Sequence, residues 1–264
     1  MRLCTLNVPL WGDARGRSNV DRVIDLLRAL DCDVVALQEV LHDGPHLQRV
    51  ADALGMHHAL GAEAWLGNAL LSAHPLDAVE AAPITSGYEE GRCALVASVR
   101  LPEGSVEVCS THLDPGYEVT RLRQLERFAA AMARRPPDRV VMGDFNALRL
   151  ADYTPAAIEA VRAARAASDR EEPRGDVTAR MDALGYVDLY RLARAPDLAG
   201  YYEALSAPLP EGACATCWAS TRIDYAWASA SLIERHAVMR AELVETDATD
   251  HKAIVVELAG VRAR

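Results

Sequence analysis

Val140-Val-Met-Gly-Asp-Phe-Asn-Ala-Leu148 is the stretch that decides how the chain folds. Three apolar residues run into a glycine, and Asp144 and Asn146 follow two positions apart. At the end of an extended strand, residues i and i+2 project to the same side. A carboxylate and a carboxamide therefore stand together at the rim of a buried strand. That pair suits phosphate chemistry. The carboxylate holds a hard cation or takes a proton from water, and the amide N–H donates to a phosphoryl oxygen. An isolated Gly-Asp-x-Asn is as often a strand-to-loop junction with polar turn residues, so the flanking chain has to decide.

Upstream, residues 119–135 form an amphipathic helix, with Leu122, Leu125, Phe128, Ala129 and Met132 on one face and Pro136 and Pro137 as its stop. Before it, residues 105–114 read as a strand that delivers His112 and Asp114 to its end. Residues 67–73, 77–84 and 93–101 are further strands, separated by turn residues that include Pro75, Gly87, Pro102 and Gly104. Strands this close, with no helix between them, imply antiparallel pairing. At the start of the chain, residues 2–8 alternate as a strand ending near Asn7, and Val23 to Leu30 recur at helical spacing. Residues 33–40 are a short apolar run that ends in Gln38 and Glu39, and residues 46–54 are a short helix.

Downstream, the order is less regular. Residues 156–167 and 177–184 look helical around a polar loop at 168–175, and the segment from 149 to about 216 reads as an insertion near a substrate mouth. Its arginines, Arg162, Arg165, Arg170, Arg174 and Arg180, form either a solvated face or a substrate-facing lid. Residues 221–227 alternate as a strand with Asp224 inside it, and 237–244 is another. A last apolar run, to residue 258, is preceded by Asp250 and His251. No internal repeat or linker composition divides the 264 residues, which are expected to form one domain.

Half of the residues are hydrophobic, enough for a sizeable core, and the formal net charge is -10. That sign argues against a dedicated long-duplex binder, which needs many cations for phosphates. Lys252 is the only lysine. Of the six cysteines, Cys4, Cys32, Cys93 and Cys109 sit singly in apolar stretches, as buried thiols do. Cys214 and Cys217 have metal or redox spacing, but no second pair completes a zinc site. No run of about 18 apolar residues and no leader pattern occurs, so no membrane span and a cytoplasmic location are expected. No obligate protein partner is evident.

Polar residues stand after nearly every buried strand: Asn7; Gln38 and Glu39; His112 and Asp114; Asp144 and Asn146; Asp250 and His251. Chance does not readily place carboxylate, amide and imidazole groups this way, and their convergence on one rim would make an active site. The set resembles the endonuclease/exonuclease/phosphatase superfamily, the fold of deoxyribonuclease I and the exonuclease III-like repair enzymes. The resemblance spans nearly the whole chain and rests on Leu6-Asn7, Leu37-Gln38-Glu39-Val40, Gly67-Asn68-Ala69-Leu70-Leu71-Ser72, Thr111-His112-Leu113, Gly143-Asp144-Phe145-Asn146, Arg222-Ile223-Asp224-Tyr225 and Thr249-Asp250-His251.

It implies an α/β fold, a four-layer α/β/β/α sandwich of two mixed, mostly antiparallel sheets with helices on the outside. It also implies hydrolysis of phosphoester bonds with Mg²⁺, Mn²⁺ being able to substitute. Carried over by motif, Glu39 would be the principal metal ligand, with Asn7 and Asp250 helping to hold the metal. Asp144 and Asn146 would orient the attacking water and the phosphoryl group. His251 would contact the phosphate or activate water, with Asp224 fixing its orientation, and His112 would stabilise the transition state or assist the leaving group. The proton goes to Asp144 or His251. Arg92, Asp114 and Arg222 are weaker candidates for substrate contact. The inositol polyphosphate 5-phosphatase branch typically carries Trp-Cys-Asp-Arg where Thr221-Arg-Ile-Asp224 stands, which disfavours that substrate class. His74 stands where many relatives carry arginine. A phosphodiesterase acting on short or single-stranded nucleic acid or nucleotide-like substrates is the leading expectation. The alternatives are an enzyme acting on a small metabolite or lipid head group, and a non-catalytic binding protein on the same scaffold.

Overall fold

In chain order the strands and longer helices are β1 (Arg2–Asn7), α1 (Val20–Leu30), β2 (Val34–Leu41), α2 (His46–Leu54), β3 (His57–Ala62), β4 (Leu66–Ser72), β5 (Leu76–Pro83), β6 (Cys93–Leu101), β7 (Gly104–His112), α3 (Glu118–Met132), β8 (Arg139–Asp144), α4 (Pro155–Ala167), α5 (Asp176–Ala183), β9 (Tyr186–Asp188), β10 (Asp224–Ser229), β11 (Val238–Val244) and β12 (Ala253–Leu258). The computed structural model describes residues 1–13, 15–62, 66–85, 91–102, 104–210 and 214–259. Gly87, read as a turn residue, lies outside the described residues. No described helix is long and apolar enough to cross a membrane.

The strands form two six-stranded sheets, ordered β11-β12-β1-β2-β4-β3 and β5-β6-β7-β8-β10-β9. Each sheet has one parallel pair at its centre, β1 with β2 and β7 with β8, and its other pairings are antiparallel. A helix joins each parallel pair, α1 in one sheet and α3 in the other, because parallel neighbours need a crossover.

Alternation along the strands builds three apolar layers. Leu3, Val34, Ala36, Leu70, Leu95, Ala97, Val140, Met142, Ala226 and Val256 meet between the sheets. Cys4, Val35, Leu37 and Leu71 face the other way, against Val23, Ile24 and Leu27 of α1 and Val50 of α2. On the far side, Val96, Val141, Tyr225 and Trp227 pack on Leu125, Phe128 and Met132 of α3 and Val177 and Met181 of α5. Strands covered on both faces read as continuous apolar runs, which is how the central ones appear in the sequence. The expected four-layer sandwich is present.

The segment after residue 148 divides in two. α5 and β9 complete the second sheet and its outer layer, with Trp227 opposite Asp188 across β10 and β9. α4 has no fully buried residue, and the turn after it reaches the cleft described below. β3, which the sequence reading had not marked, is an edge strand with His57 and His58 exposed.

Candidate active site

The carboxyl ends of both parallel pairs lie at one rim. They bring Asn7 from β1, the end of β2, His112 from β7 and Asp144 from β8. Strand register sets the rest. His112 lies opposite Asp144, and Asp144 lies opposite Asp224, so three ionisable side chains stand in a row across β7, β8 and β10. Asp224 was expected inside a strand, but it opens β10 and therefore belongs to the rim. Just below, Gln38 ties the sheets together: it accepts from Thr5 Oγ1 (3.2 Å) and donates to Ser110 Oγ (3.1 Å), which donates to Leu37 O.

Backbone conformation aims the side chains. β2 does not stop at Glu39 but continues to Leu41 through a bulge between Leu37 and Val40. Glu39 takes a left-handed conformation there, φ 57°, and its carboxylate lines the cleft. Asn146 is also left-handed, φ 48°. Gly143 has φ 149°, and a Cβ there would sit 1.8 Å from Thr111 O, so the residue before Asp144 has to be glycine.

Asn7 is fully buried and links the sheets at the rim. Its Nδ2 donates to Glu39 Oε1 (3.0 Å) and Asp144 Oδ2 (3.2 Å), and its Oδ1 is buried with no hydrogen-bond partner. Asp144 Oδ1 accepts the Asn146 N–H at 2.8 Å. Burial first, and then the Asp224 charge, push the Asp144 carboxyl up to about 7, against His251, Asn146 and Asn7. His251 Nδ1 is 2.9 Å from Asp224 Oδ2. Burial alone would lower the imidazole, but Asp224, Asp144 and Asp250 more than reverse that and raise it to about 11.

Asn146 Nδ2 lies 3.1 Å from Leu113 O and 3.0 Å from His112 Nε2. The Leu113 carbonyl needs a donor, which orients the amide, and the second N–H then meets a His112 Nε2 that accepts. His112 is therefore neutral and protonated at Nδ1, in line with the burial, the Arg92 charge and the His251 charge that push its pKa well down.

Two loops hold the dyad. Thr249 Oγ1 donates to Asn7 O (2.8 Å) and accepts from the His251 N–H (3.2 Å). Thr216 Oγ1 accepts the N–H groups of Ile223 and Asp224, and Thr216 O accepts from Lys252 N–H. The Cys214 and Cys217 thiols are free, and Cys217 Sγ contacts Thr221, so the pair belongs to this strap. Thr216 was not singled out from sequence, and Thr249 entered only as part of the Thr249-Asp250-His251 motif with no role, because a hydroxyl bonded to backbone leaves no spacing signal.

Glu39, His112, Asp144, Asn146 and His251 form the floor of a cavity of about 370 Å³, together with the exposed Asp250 and the buried Arg92, and Asn7 and Asp224 bond to this floor from behind. Tyr117 and Trp218, 64% and 72% exposed, stand on its walls with Arg165 and Arg170.

Two expected substrate contacts are corrected. Arg222 has no exposed surface. Its guanidinium binds Asp152 (2.7 Å) and Asp188, and it lies 4.4 Å over the Tyr225 ring, so it is an internal ion cluster that substrate does not reach. Asp114 Oδ1 accepts the N–H groups of Gly116 and Tyr117, both at 2.8 Å, and so builds the turn into α3. His74 approaches Asp33 at the start of β2, at the opposite end of that strand from Glu39.

The donor set can be tested for a cation. Asp144, Asp224 and His251 offer ligand atoms within 4.8 Å of one another, but Asp224 and His251 are already bonded to each other. The other group is all oxygen: Glu39, the free Asn7 Oδ1, and Asp250, whose carboxylate is exposed to the cleft. A buried amide oxygen without a donor, beside a carboxylate, suits a hard divalent ion.

The fold has counterparts in known proteins. The structure of an endonuclease/exonuclease/phosphatase from Beutenbergia cavernae aligns with a TM-score of 0.72 at 21% identity, covering 98% of this chain and 71% of that one. The human nocturnin catalytic domain with bound sulfate aligns at 0.66 and 16% identity, covering 98% and 94%. A 3′ phosphatase from Neisseria bound to a product DNA hairpin aligns at 0.65 and 18% identity, covering 98% and 100%. A search of the curated proteins finds no match. The sequence model of one family covers residues 10–251, and on that match the chain belongs to the endonuclease/exonuclease/phosphatase family.

Proposed function

We propose that the chain is a divalent-metal-dependent phosphodiesterase acting on nucleic acid or nucleotide-like phosphoesters. The observation that carries this reading is the free Asn7 Oδ1 beside Glu39, with Asp144, Asp224 and His251 adjoining it. Glu39, Asn7 and Asp250 would hold Mg²⁺, or Mn²⁺ in its place, through oxygen alone. Bound there, the cation would supply neutralisation of charge developing on the phosphoryl oxygens.

The protein groups divide the remaining work. Asp144 takes the proton from the attacking water, since a carboxyl near 7 is matched to neutral pH. His251, held charged by Asp224, donates from Nε2 to a phosphoryl oxygen. Both N–H groups of Asn146 are engaged, so it offers Oδ1 to the water instead of an N–H to the phosphate. His112 has no proton on Nε2 to give the transition state and acts by positioning Asn146. Arg92, buried at the cleft, contacts the substrate phosphate.

The net charge of -10 favours short or single-stranded substrates over long duplex. Tyr117 and Trp218 offer flat faces to bases. The test is hydrolysis of bis-p-nitrophenyl phosphate, p-nitrophenyl phosphate and labelled oligonucleotides, with EDTA or with added Mg²⁺. Diester cleavage that needs the metal, and that falls by ~100-fold or more in Glu39→Gln while the fold is kept, is expected. Cleavage of the monoester alone would move the assignment to a phosphatase. Turnover in Glu39→Gln equal to wild type would remove Glu39 from the metal site.

A further inference from the structure

We infer that Arg165 and Arg170 form a subsite for a second phosphate of the substrate, next to the one that is cleaved. The inference rests on the phosphoesterase reading above and names the substrate class more narrowly.

Arginines crowd the chain between 149 and 180, but most are spent. Arg149 binds Asp182 at 2.8 Å, Arg162 binds Glu159, Arg174 binds Asp176 at 2.8 Å, and Arg180 binds Glu126 at 2.7 Å. Arg165 and Arg170 differ. Among the described residues, neither has a carboxylate within 4.0 Å, and both line the cleft. Among the described residues, Arg165 makes one side-chain hydrogen bond, from Nη1 to the backbone oxygen of Glu171, at 3.3 Å.

The local backbone keeps the two cations together. α4 ends at Ala167, the Arg170 N–H returns to Arg165 O at 2.9 Å, and Asp169 takes a left-handed φ of 51°. Nearby acids do not neutralise the pair. Glu171 Oε2 is held by Arg121 (3.0 Å) and by the Glu118 N–H (2.7 Å). Asp169 lines the cleft but lies beyond ion-pair distance of both guanidiniums. Arg165 is half-buried. Its burial, then the charges of Arg121 and Arg170, hold its pKa below the usual arginine range, against Glu171. An anion between the two guanidiniums would relieve that repulsion, and their planar forks match phosphate oxygens.

The pair is separate from the catalytic floor. No hydrogen bond joins either residue to Asn7, Glu39, Asp144, Asn146, Asp224 or His251. A cavity of about 370 Å³ sits within the ordinary range for small-ligand sites, about 300–1,000 Å³, and exceeds what one phosphoryl group needs. The ligand chemistry is therefore a phosphate one unit away, in a nucleotide chain or as a terminal phosphate.

The experiment compares KM values with Mg²⁺ for thymidylyl-thymidine, its 5′-phosphorylated and 3′-phosphorylated forms, a trinucleotide, and bis-p-nitrophenyl phosphate. In wild type, one added phosphate should lower KM. In Arg165→Gln/Arg170→Gln that advantage should shrink by about tenfold with kcat nearly constant. An advantage given by a terminal phosphate or only by the trinucleotide separates the two sources. An undiminished advantage in the double variant overturns the subsite. Calorimetric binding of pyrophosphate in EDTA, with Glu39→Gln as the background, reads the subsite without turnover. Weaker binding when both arginines are replaced supports it even if no diester is cleaved, in which case only the phosphoesterase reading fails. Equal binding overturns the subsite whatever the enzyme hydrolyses.

Discussion

Replacing Arg222 with methionine separates a structural arginine from a substrate-binding one. The Arg222 guanidinium holds two carboxylates, Asp152 and Asp188, and none of the three has exposed side-chain surface. Breaking a buried ion pair by removing one partner typically costs ~3–5 kcal/mol, because the other charge stays behind. Here each acid keeps a second cation: Arg191 binds Asp152, and Arg149 lies 3.7 Å from Asp188. Asp188 also accepts the Tyr190 N–H at 3.1 Å. The cost should therefore sit near the lower end, ~3 kcal/mol, and for a chain of this length that lowers Tm by ~6–12 °C. The effect has a pH signature. Burial alone would raise the Asp188 carboxyl, but Arg222, Arg149 and Arg191 outweigh it and hold it below the usual range. A depressed acid contributes stability above its unfolded value of about 3.9, and that contribution is lost as pH falls through the folded value. The variant lacks part of this term, so its deficit should be widest at pH 7 and narrow below about pH 4. Thermal unfolding followed by circular dichroism at several pH values measures the deficit, and KM on bis-p-nitrophenyl phosphate should stay near wild type. An unchanged Tm with a strongly raised KM would refute the reasoning and return Arg222 to the substrate.

Asp224→Asn removes a charge that raises both Asp144 and His251. An ionised base limits the acid side of the rate profile and a charged imidazole the alkaline side, so both limbs of log kcat against pH should move to lower pH. A profile that drops in height without moving would show that Asp224 does not set these protonation states. Gly143→Ala places a Cβ 1.8 Å from Thr111 O at φ 149°, so β7 and β8 must part. A loss above ~3 kcal/mol in urea unfolding is expected, and a loss under ~1 kcal/mol would mean the pair accommodates a side chain.

How much was legible in the sequence depended on the range of the interaction. The central strands announce themselves because burial on both faces leaves them almost wholly apolar. Their polar ends were visible for the same reason, so Asn7, Glu39, His112, Asp144 and His251 could be read as one group, and the fold brings them to one rim. β3 was not, since His57-His-Ala-Leu-Gly-Ala62 is an edge strand with half-exposed residues and no apolar run. The bulge at Glu39 was hidden too, because it answers to the register of β4 and not to any local residue. Arg222 was misread because its partners lie 70 and 34 positions away in the chain. The same blindness covers the arginines of α4 and its following turn. Their composition is uniform, and only the folded chain reveals which have a carboxylate beside them.

The two halves of the site therefore answer to different constraints. The floor is over-determined. Its groups sit on paired strands or within three residues of their ends, and two of them, Glu39 and Asn146, hold left-handed conformations that cost of order 1–2 kcal/mol for residues with a side chain. Such strain persists only where register, the Gln38 bridge and the threonine straps leave the backbone no alternative. The wall that carries Arg165 and Arg170 has no comparable support, since α4 buries none of its residues fully and its turn is closed by its own backbone. Under the proposed function, chemistry that needs fixed geometry falls to the floor, and choice of substrate to the wall. A floor mutation that disturbs the backbone, such as Gly143→Ala, should change turnover and fold together, and an isosteric one, such as Glu39→Gln, turnover alone, whereas one on the wall should change which phosphoester is preferred and leave stability nearly untouched.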